Sequence, residues 1–376
     1  MMTASERTLA LLDSQIGKPL AEVETPVAVV DLDRVEGNLE RLQTYASSHG
    51  IALWPHTKTH KTVEIGLRQL AVGAEGLTVA KSGEAQVFHE AGAPRILMHY
   101  PPFGPVKAER VAALAAEGLE LTVAVDSVWA AEALSAALVR PGARAQVLVE
   151  LDVGLHRTGQ TTAAGALAVA QGLSRLPAID VAGISNYPGH CRGDVVEGHA
   201  QLMAADAFLR ETRDLLLAAG LRCDRISGGS TPTRYWTHET CVTELRSGTY
   251  ALHDRNDPAD AGVEEGALWV EVTVISDAVA DQVVFDAGTK TLTSDSHADG
   301  CHGAIIGLPG ARIHQLNEEH GYVDVSALDE RPAVGDRLRV IPNHACGCVN
   351  LHDGLLGVRN GVVEQVLRVA ARGLLR

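Results

Sequence analysis

Several features that mark common protein classes are scarce in this sequence. Its 376 residues include six cysteines, four tryptophans and four phenylalanines, and the aromatic share is 4%. Six cysteines are too few for a disulfide framework over this length, so we expect them to be reduced. The formal net charge of −15 and the shortage of stacking side chains argue against a nucleic-acid-binding surface.

Long apolar runs are also missing. No stretch approaches the roughly 20 residues that span a bilayer, and the N-terminus, MMTASERTLALLDSQIGKPL, lacks the pattern of a signal peptide. We therefore expect no membrane partner and a cytoplasmic location. Because 46% of the residues are hydrophobic, the chain can bury a sizeable core. Its partner is expected to be a small molecule.

Before residue 255, short apolar runs alternate with Ala-rich stretches of helical period, as in PVAVVDL followed by GNLERLQTYASSHG. Apolar runs lie near residues 27, 51, 77, 95, 120, 145, 179 and 223. About eight strands separated by helices over roughly 250 residues predict a parallel (β/α)8 barrel of the TIM type. A doubly wound sheet is the rival, but no G-x-G-x-x-G opens the first strand–helix turn.

The pattern changes beyond residue 265, where strands and turns follow one another without helical period, as in ALWVEVTVISDAVADQVVFDAG. We therefore predict two domains. The barrel covers 25–255, and a β-rich domain covers 265–376, with 1–24 as a candidate to join it. No flexible linker separates the two.

The segment WPHTKTHK, residues 54–61, gathers two lysines and two histidines after the apolar run IALW. It is predicted to follow a barrel strand, at the edge where active sites of this fold are built. A lysine there can form a Schiff base with a carbonyl cofactor, because burial or neighbouring cations favour its reactive neutral amine. On these residues alone, a solvated basic loop remains the alternative.

An ordered set of motifs, from about residue 25 to the end, resembles one enzyme family. The set is TPVAVVDLDRVEGNLERL, PHTKTHK, ELDVGLHRTG, SGGSTPT, TELRSGTYALHD, DAGTKTLTSD and PNHACGCVNLHD. It is similar to the fold-type III, pyridoxal-phosphate-dependent D-threonine aldolases and D-serine dehydratases. The resemblance implies an alanine-racemase-like barrel, a C-terminal β-domain, pyridoxal 5'-phosphate (PLP) with a divalent metal beside it, and commonly a homodimer.

The resemblance also implies roles for residues that bind the cofactor. By match to the family's P-H-x-K-x-H-K, Lys58 would carry PLP, with His56 in the same motif and Lys61 as an auxiliary. Arg157 matches the arginine that contacts the phenolic oxygen, where a guanidinium stabilises the phenolate. Tyr187 would pack on PLP or hydrogen-bond to it.

His190 is a candidate acid or base on the same side of the barrel. The family's aldolases tend to carry histidine directly after the tyrosine, where this chain has Pro188. A structural role for His190 therefore stays open beside the catalytic one.

A cofactor phosphate needs converging backbone N–H groups, which glycine-rich turns at strand ends supply. The candidates are Gly228, Gly229, Ser230 and Thr231 in one turn, and Gly248, Thr249 and Tyr250 in a second. An ordinary tight turn is the alternative for each taken alone. The family's pattern favours phosphate binding by both.

His344, Cys346 and Cys348 fall at alternate positions after an apolar run, so an extended backbone would point all three to one face. Imidazole and thiolate together suit Zn²⁺, although on these residues alone a buried cysteine and a hydrogen-bonded histidine are the favoured interpretation. The resemblance implies a metal on His344 and Cys346. Zn²⁺ is preferred, Mn²⁺ and Mg²⁺ remain open, and nearby Asp353 leaves other ligand sets open.

The residue two positions after the histidine is cysteine in the family's dehydratase branch and usually aspartate in its aldolase branch. Cys346 therefore favours dehydration of a D-3-hydroxy amino acid, D-serine or D-3-hydroxyaspartate, to a 2-oxo acid and ammonia. Aldol cleavage to glycine and an aldehyde is the alternative. A racemase, which would need no metal, and a non-catalytic PLP carrier, which would usually lack a large β-domain, are less favoured.

Overall fold

The structure is a computed structural model that describes residues 2–192, 195–257 and 266–376. The chain divides into two compact units. The barrel unit consists of Glu40–Lys58, Gly66–Gly248 and Leu374–Arg376. The sheet unit consists of the residues up to Leu39, Thr59–Ile65 and Thr249–Gly373. The predicted boundary at 255–265 lies mostly outside the described residues.

The strands of the described residues are β1 Val27–Asp31, β2 Ala52–Leu53, β3 Leu77–Val79, β4 Arg95–Met98, β5 Glu120–Val125, β6 Ala145–Leu151, β7 Ile179–Asn186, β8 Arg225–Gly228, β9 Glu244–Leu245, β10 Leu268–Ser276, β11 Gln282–Phe285, β12 Ala304–Ile305, β13 Arg312–Leu316, β14 Gly321–Asp324, β15 Arg337–Ile341, β16 Gly354–Arg359 and β17 Val362–Arg368. The α-helices are α1 Ala4–Asp13, α2 Leu32–Ser48, α3 Val63–Ala71, α4 Ser82–Glu90, α5 Pro105–Ala116, α6 Val128–Val139, α7 Ala163–Leu173, α8 Val195–Ala218 and α9 Ala345–Val349. Among the described helices, none is both long and apolar enough to cross a membrane.

The barrel unit contains an eight-stranded parallel sheet in the order β2-β9-β8-β7-β6-β5-β4-β3. An isolated parallel bridge between His56 and Thr78 joins the two ends of this order. Helices α4 to α8 lie between consecutive strands in the chain. Residues that favour a helix start are found at two of them: α5 has proline in its first turn, and at the start of α7 the Thr162 side chain accepts a hydrogen bond from the Gly165 N–H. The predicted parallel barrel is confirmed.

Side chains alternate between the two faces of the barrel strands. Ile96 and Met98 of β4, like Val147 and Val149 of β6, belong to the large core that includes residues of the helices. Leu97 and Leu148 instead form a smaller buried cluster with Trp54 and Ala182. This second cluster fills the barrel interior, so Glu150, two positions after Leu148, lies on the interior side at the carboxyl end of β6.

One of the strands predicted for the barrel belongs to the other unit. β1, the apolar run near 27, pairs antiparallel with β10 and parallel with β16. The eighth barrel strand is β9, which has only two residues and pairs with β2 and β8. The predicted total of eight barrel strands was right, but the assignment of the run near residue 27 to the barrel was wrong. A short buried apolar run gives the same sequence signal in either kind of sheet.

The sheet unit has a nine-stranded, mostly antiparallel sheet along the path β13-β14-β11-β10-β1-β16-β17, with β15 pairing to β10 and β12. Its core consists mainly of valine, isoleucine and leucine from these strands, such as Val270, Val272 and Val340. The predicted C-terminal β-rich domain is confirmed. α9 is a short helix that follows β15 and includes Cys346 and Cys348.

Candidate functional site

The carboxyl ends of the barrel strands bring together most of the residues predicted to bind the cofactor. Lys58 Nζ lies 5.5 Å from the centroid of the Tyr187 ring, and Arg157 Cζ lies 4.7 Å from the same centroid. Cations at these distances are attracted by the ring's negative face. Lys58, Arg157 and Tyr187 therefore form one cluster, although they come from three different strand–helix connections.

His56 is buried beside this cluster. Its Nδ1 lies 3.4 Å from the Lys58 amide, which donates to it. Burial lowers the pKa of His56 well below 6.5, and the charges of Lys58, Arg246 and Arg157 lower it further. His56 is thus a neutral imidazole at neutral pH, placed among cations.

A network that sequence reasoning missed lies next to these residues. His99 Nε2 is 2.8 Å from Glu150 Oε2, and the Ser185 hydroxyl donates to the same carboxylate oxygen. All three side chains are buried. Burial lowers the pKa of His99 to about 4, and the Arg246 charge adds to this effect while Glu150 opposes it. His99 is therefore neutral, and its Nε2–H donates to the carboxylate.

Arg246 supplies the positive charge that compensates Glu150. Its guanidinium is buried and donates to the carbonyl oxygens of Asn186 and Ser227. Burial raises the pKa of Glu150, but His99, Arg246 and the Ser185 hydrogen bond outweigh burial and lower the pKa overall. A buried carboxylate of this kind is stable only when it is paired and hydrogen-bonded.

The glycine-rich turn after β8 has features that fit a phosphate group. The Ser227 hydroxyl is buried and has no hydrogen-bond partner in the described part of the chain. Gly228 packs so closely on the Asn186 side chain, and Gly229 on Leu245, that neither position has room for a Cβ. Gly229 also has a φ of +79°, which favours glycine.

The other side of the turn is held by hydroxyl groups. Ser230 N–H donates to Thr233 Oγ1 at 3.1 Å, and the Ser247 hydroxyl donates to the Ser230 carbonyl at 3.1 Å. Over the described residues, the amides of Gly229 and Thr231 donate no hydrogen bond. Two amides and one buried hydroxyl are thus available to an anion.

The second predicted phosphate segment spans the point where the chain passes from one unit to the other. Gly248 is the last residue of the barrel unit's long segment Gly66–Gly248. Thr249 and Tyr250 begin a 3₁₀ helix over Thr249–Ala251 in the sheet unit. Tyr250 is only 2% exposed. Phosphate binding by these residues stays a prediction.

His190 packs against a different loop. A Cβ on Gly154 would lie 2.8 Å from His190 Nε2, and the Cys191 sulfur lies 3.6 Å from the same nitrogen. Burial lowers the pKa of His190. Among the described residues, no hydrogen bond or ring contact joins His190 to Lys58, so its catalytic role stays a prediction.

The predicted metal ligands lie in the sheet unit, and their backbone differs from the expectation. His344 caps α9, and residues 345–349 are helical rather than extended. Positions two apart on a helix point to different sides, so Cys346 and Cys348 diverge. Cys348 is buried and donates to the Thr291 carbonyl at 3.3 Å, and burial raises its pKa to about 12. The expectation that all three residues share one face was wrong.

His344 and Cys346 nevertheless lie side by side. A hydrogen bond with Cys346 raises the pKa of His344 to about 9, with further contributions from Asp295 and Asp254. His344 Nδ1 lies 2.7 Å from Asp295 Oδ2, and Cys346 Sγ lies 3.4 Å from Thr59 Oγ1. Imidazole and thiol next to each other fit a Zn²⁺-type donor set. Within the described ranges, no group of three or more His, Cys, Asp or Glu side chains is placed to hold a metal.

Comparisons with known proteins agree with these features. A family model described as "Alanine racemase, N-terminal domain" matches residues 30–255, and one described as "Putative serine dehydratase domain" matches residues 267–358. A D-threonine aldolase of Arthrobacter sp is 38% identical over 376 residues, with 96% of each chain covered. A crystal structure of D-threonine aldolase from Filomicrobium marinum superposes with a TM-score of 0.90 at 32% identity, covering 97% of this chain and 100% of that one.

A D-threo-3-hydroxyaspartate dehydratase of Delftia sp. (strain HT23) is 33% identical over 351 residues, with 87% of this chain and 92% of that one covered. Its solved structure has a TM-score of 0.84 at 30% identity, covering 93% of this chain and 98% of that one. Two further solved structures are described as D-threo-3-hydroxyaspartate dehydratase mutants, in which a histidine and a cysteine two positions later are replaced by alanine; the cysteine mutant is described as in the metal-free form. The chain therefore belongs to the fold-type III family of D-threonine aldolases and D-serine dehydratases, and it is a pyridoxal-phosphate-dependent lyase.

Proposed function

We propose that PLP is attached to Lys58 and held at the carboxyl ends of the barrel strands. Support comes from the cluster of Lys58, Arg157 and Tyr187. The glycine-rich turn after β8 adds to it, because the free amides of Gly229 and Thr231 suit a phosphate. Arg157 would stabilise negative charge on the phenolic oxygen. When bound, PLP supplies an electron sink for negative charge at the substrate's Cα.

The attachment site can be tested by borohydride reduction of the holoenzyme followed by peptide mapping. Reduction fixes the cofactor to its lysine, so the modified peptide should contain Lys58 and not Lys61. Lys61→Ala is the matched control, because both lysines lie in the same segment and only one should be labelled. Reductive labelling that persists in Lys58→Ala would refute the assignment.

We propose that His344 and Cys346 bind Zn²⁺. A soft thiolate and an imidazole favour Zn²⁺ over Mg²⁺, which prefers oxygen ligands. Solved mutants of a D-threo-3-hydroxyaspartate dehydratase support this pair, because they replace a histidine and a cysteine with the same spacing, and the cysteine mutant is described in a metal-free form. When bound, Zn²⁺ supplies Lewis acidity toward an oxygen atom of the substrate.

The reaction that we propose is dehydration of a D-3-hydroxy amino acid to a 2-oxo acid and ammonia. The observation that carries this choice is Cys346, a thiol beside His344 where the aldolase branch usually has a carboxylate. In this reaction the Lys58 amine takes the Cα proton, the Cβ–O bond breaks, and the hydroxyl gains a proton and leaves as water, so that the substrate loses one hydrogen and one hydroxyl in total. Hydrolysis of the dehydrated product then releases ammonia.

Aldol cleavage to glycine and an aldehyde is the second candidate, favoured by the 38% identity to a D-threonine aldolase. It breaks the Cα–Cβ bond and needs a base for the hydroxyl proton instead of the Cα proton. The two reactions are separated by their products. D-serine, D-threonine and D-3-hydroxyaspartate should each be incubated with the holoenzyme, with ammonia and 2-oxo acid measured against glycine; we expect ammonia to predominate for at least one substrate.

We also propose that the protein is a homodimer, as is common in this family. Sedimentation of the holoenzyme across a range of concentrations, with activity measured on the same samples, tests this. A fully active monomer would refute it.

A further inference from the structure

Two side chains, Asp295 and Thr59, lie next to the proposed metal ligands. Asp295 ends the motif DAGTKTLTSD, and Thr59 lies inside PHTKTHK. Both belong to the sheet unit, as do His344 and Cys346. Asp295 contacts one proposed ligand and Thr59 contacts the other.

Asp295 determines which nitrogen of His344 is available. Asp295 Oδ2 lies 2.7 Å from His344 Nδ1, so the proton of a neutral imidazole is placed on Nδ1 and donated to the carboxylate. The lone pair is then on Nε2. A carboxylate that accepts from the second nitrogen of a histidine is a common arrangement around bound metals, because it fixes the ring and makes the coordinating nitrogen more basic.

Thr59 fixes the position of the Cys346 sulfur. Thr59 is 1% exposed, and its Oγ1 lies 3.4 Å from Cys346 Sγ. The hydroxyl accepts a hydrogen bond from a thiol and can rotate to donate one to a thiolate. A donor beside a thiolate stabilises its charge, and the buried Thr59 side chain offers that donor from a fixed position.

We propose that Asp295 and Thr59 are positioning residues of the metal site: Asp295 directs His344 Nε2 toward the ion, and Thr59 holds the Cys346 thiolate. This inference rests on the proposed metal site. Neither residue touches the ion. Loss of an orienting partner typically lowers metal affinity by roughly 10- to 100-fold.

The test measures Co²⁺ and Zn²⁺ binding by the PLP-loaded enzyme, since a Co²⁺–thiolate bond absorbs in the near ultraviolet. Thr59→Val keeps the shape of the side chain but removes the hydroxyl, and it should lower the affinity about 10-fold or more and shift the thiolate band. Thr59→Ser should restore both. Thr57→Val is the matched control. Thr57 precedes Lys58 in the chain and is as buried as Thr59, but its hydroxyl donates to the Thr78 carbonyl and not to Cys346. Its replacement should therefore leave the metal affinity unchanged.

Replacing Asp295 by asparagine tests whether its carboxylate acts by orienting the His344 ring. Asp295→Ala should weaken binding strongly, while Asp295→Asn should recover much of the affinity, because an amide oxygen can still accept from His344 Nδ1. Equal losses in Asp295→Asn and Asp295→Ala would contradict an orienting role that depends on accepting the His344 Nδ1 proton. Thermal unfolding of each metal-free variant checks that the fold is intact.

Different results would refute the metal site and the positioning roles. If the unsubstituted enzyme shows no thiolate band with Co²⁺, the metal site itself is refuted, and this proposal with it. If the band is present and Thr59→Val leaves both its position and the affinity unchanged, only the role of Thr59 is refuted.

Discussion

Replacing His99 by glutamine should reduce the loss of stability that the protein suffers in acid. His99 is buried, its Nε2 lies 2.8 Å from Glu150 Oε2, and burial lowers its pKa from 6.5 to about 4. Between these two values the unfolded chain binds a proton that the folded protein does not. Stability therefore falls as the pH decreases from about 6.5 to about 4, because protonation favours the unfolded state.

The size of the effect follows from the shift. A difference of 6.5 minus about 4 corresponds to about 2.5 pH units, and each unit is worth about 1.4 kcal/mol. His99 should thus cost at most about 3.5 kcal/mol over this range, with a slope of up to about 1.4 kcal/mol per pH unit. Solvent screens the charge of His99 little, since only 8% of its side chain is exposed.

The assay is urea-induced unfolding from pH 7.5 to 5, followed by tryptophan fluorescence because Trp54 lies in the barrel interior. Glutamine can still donate to Glu150 but does not titrate in this range, so His99→Gln should show a shallower decrease than the unsubstituted protein. His320→Gln is the control at an exposed histidine. Equal slopes for the unsubstituted protein and His99→Gln would refute the reasoning.

Three further predictions concern the site and the fold. Lys58→Ala should lose the absorbance of the lysine-bound cofactor and all activity, whereas Lys61→Ala should retain the absorbance; ultraviolet–visible spectra of the two variants check this. Cys346→Ala should lose most bound zinc by elemental analysis while keeping the cofactor spectrum, and Cys348→Ser should be nearly silent in both, so full zinc content in Cys346→Ala would contradict the ligand assignment. Gly183→Ala should destabilise the barrel by more than about 1 kcal/mol, since φ is +155° and a Cβ would overlap a backbone oxygen of the next strand; an unchanged midpoint in urea would count against this packing.

The barrel was predictable because its strands and helices alternate with distinct periods. The first and last strands of the barrel were harder to predict. β1 is a buried run, Val27–Asp31, that carries the same apolar signal in a barrel or in a mixed sheet, and only its partners β10 and β16 decide between the two. β9 has two residues, too few for any period, and it is recognised only because Glu244 and Leu245 pair with neighbouring strands.

Some residues of the candidate site were predictable from the sequence, and others were not. Lys58, Arg157 and Tyr187 were found through motifs and lie together in the structure. His99 and Glu150 were missed because each is a single polar residue among apolar ones. Their position could have identified them, since both lie at the carboxyl ends of barrel strands, where active-site residues of this fold are found.

For the metal site, the sequence indicated the pair but not its backbone. Alternating His344, Cys346 and Cys348 suggested a strand, whereas the segment is a helical turn that sends Cys348 into the core. The contacts of Asp295 and Thr59 with the pair join residues 49 and 287 positions apart in the chain. Contacts of such sequence separation leave no local pattern to read.

The proposed reaction is tested most directly by the product ratio from D-threo-3-hydroxyaspartate. Dehydration converts it to oxaloacetate and ammonia, whereas aldol cleavage yields glyoxylate and glycine, so one substrate distinguishes the two bonds. With the zinc-loaded holoenzyme we predict ammonia and oxaloacetate in equal amounts and in large excess over glycine, and loss of this activity after chelation. Glycine and glyoxylate as the main products would contradict dehydration and establish aldol cleavage in its place.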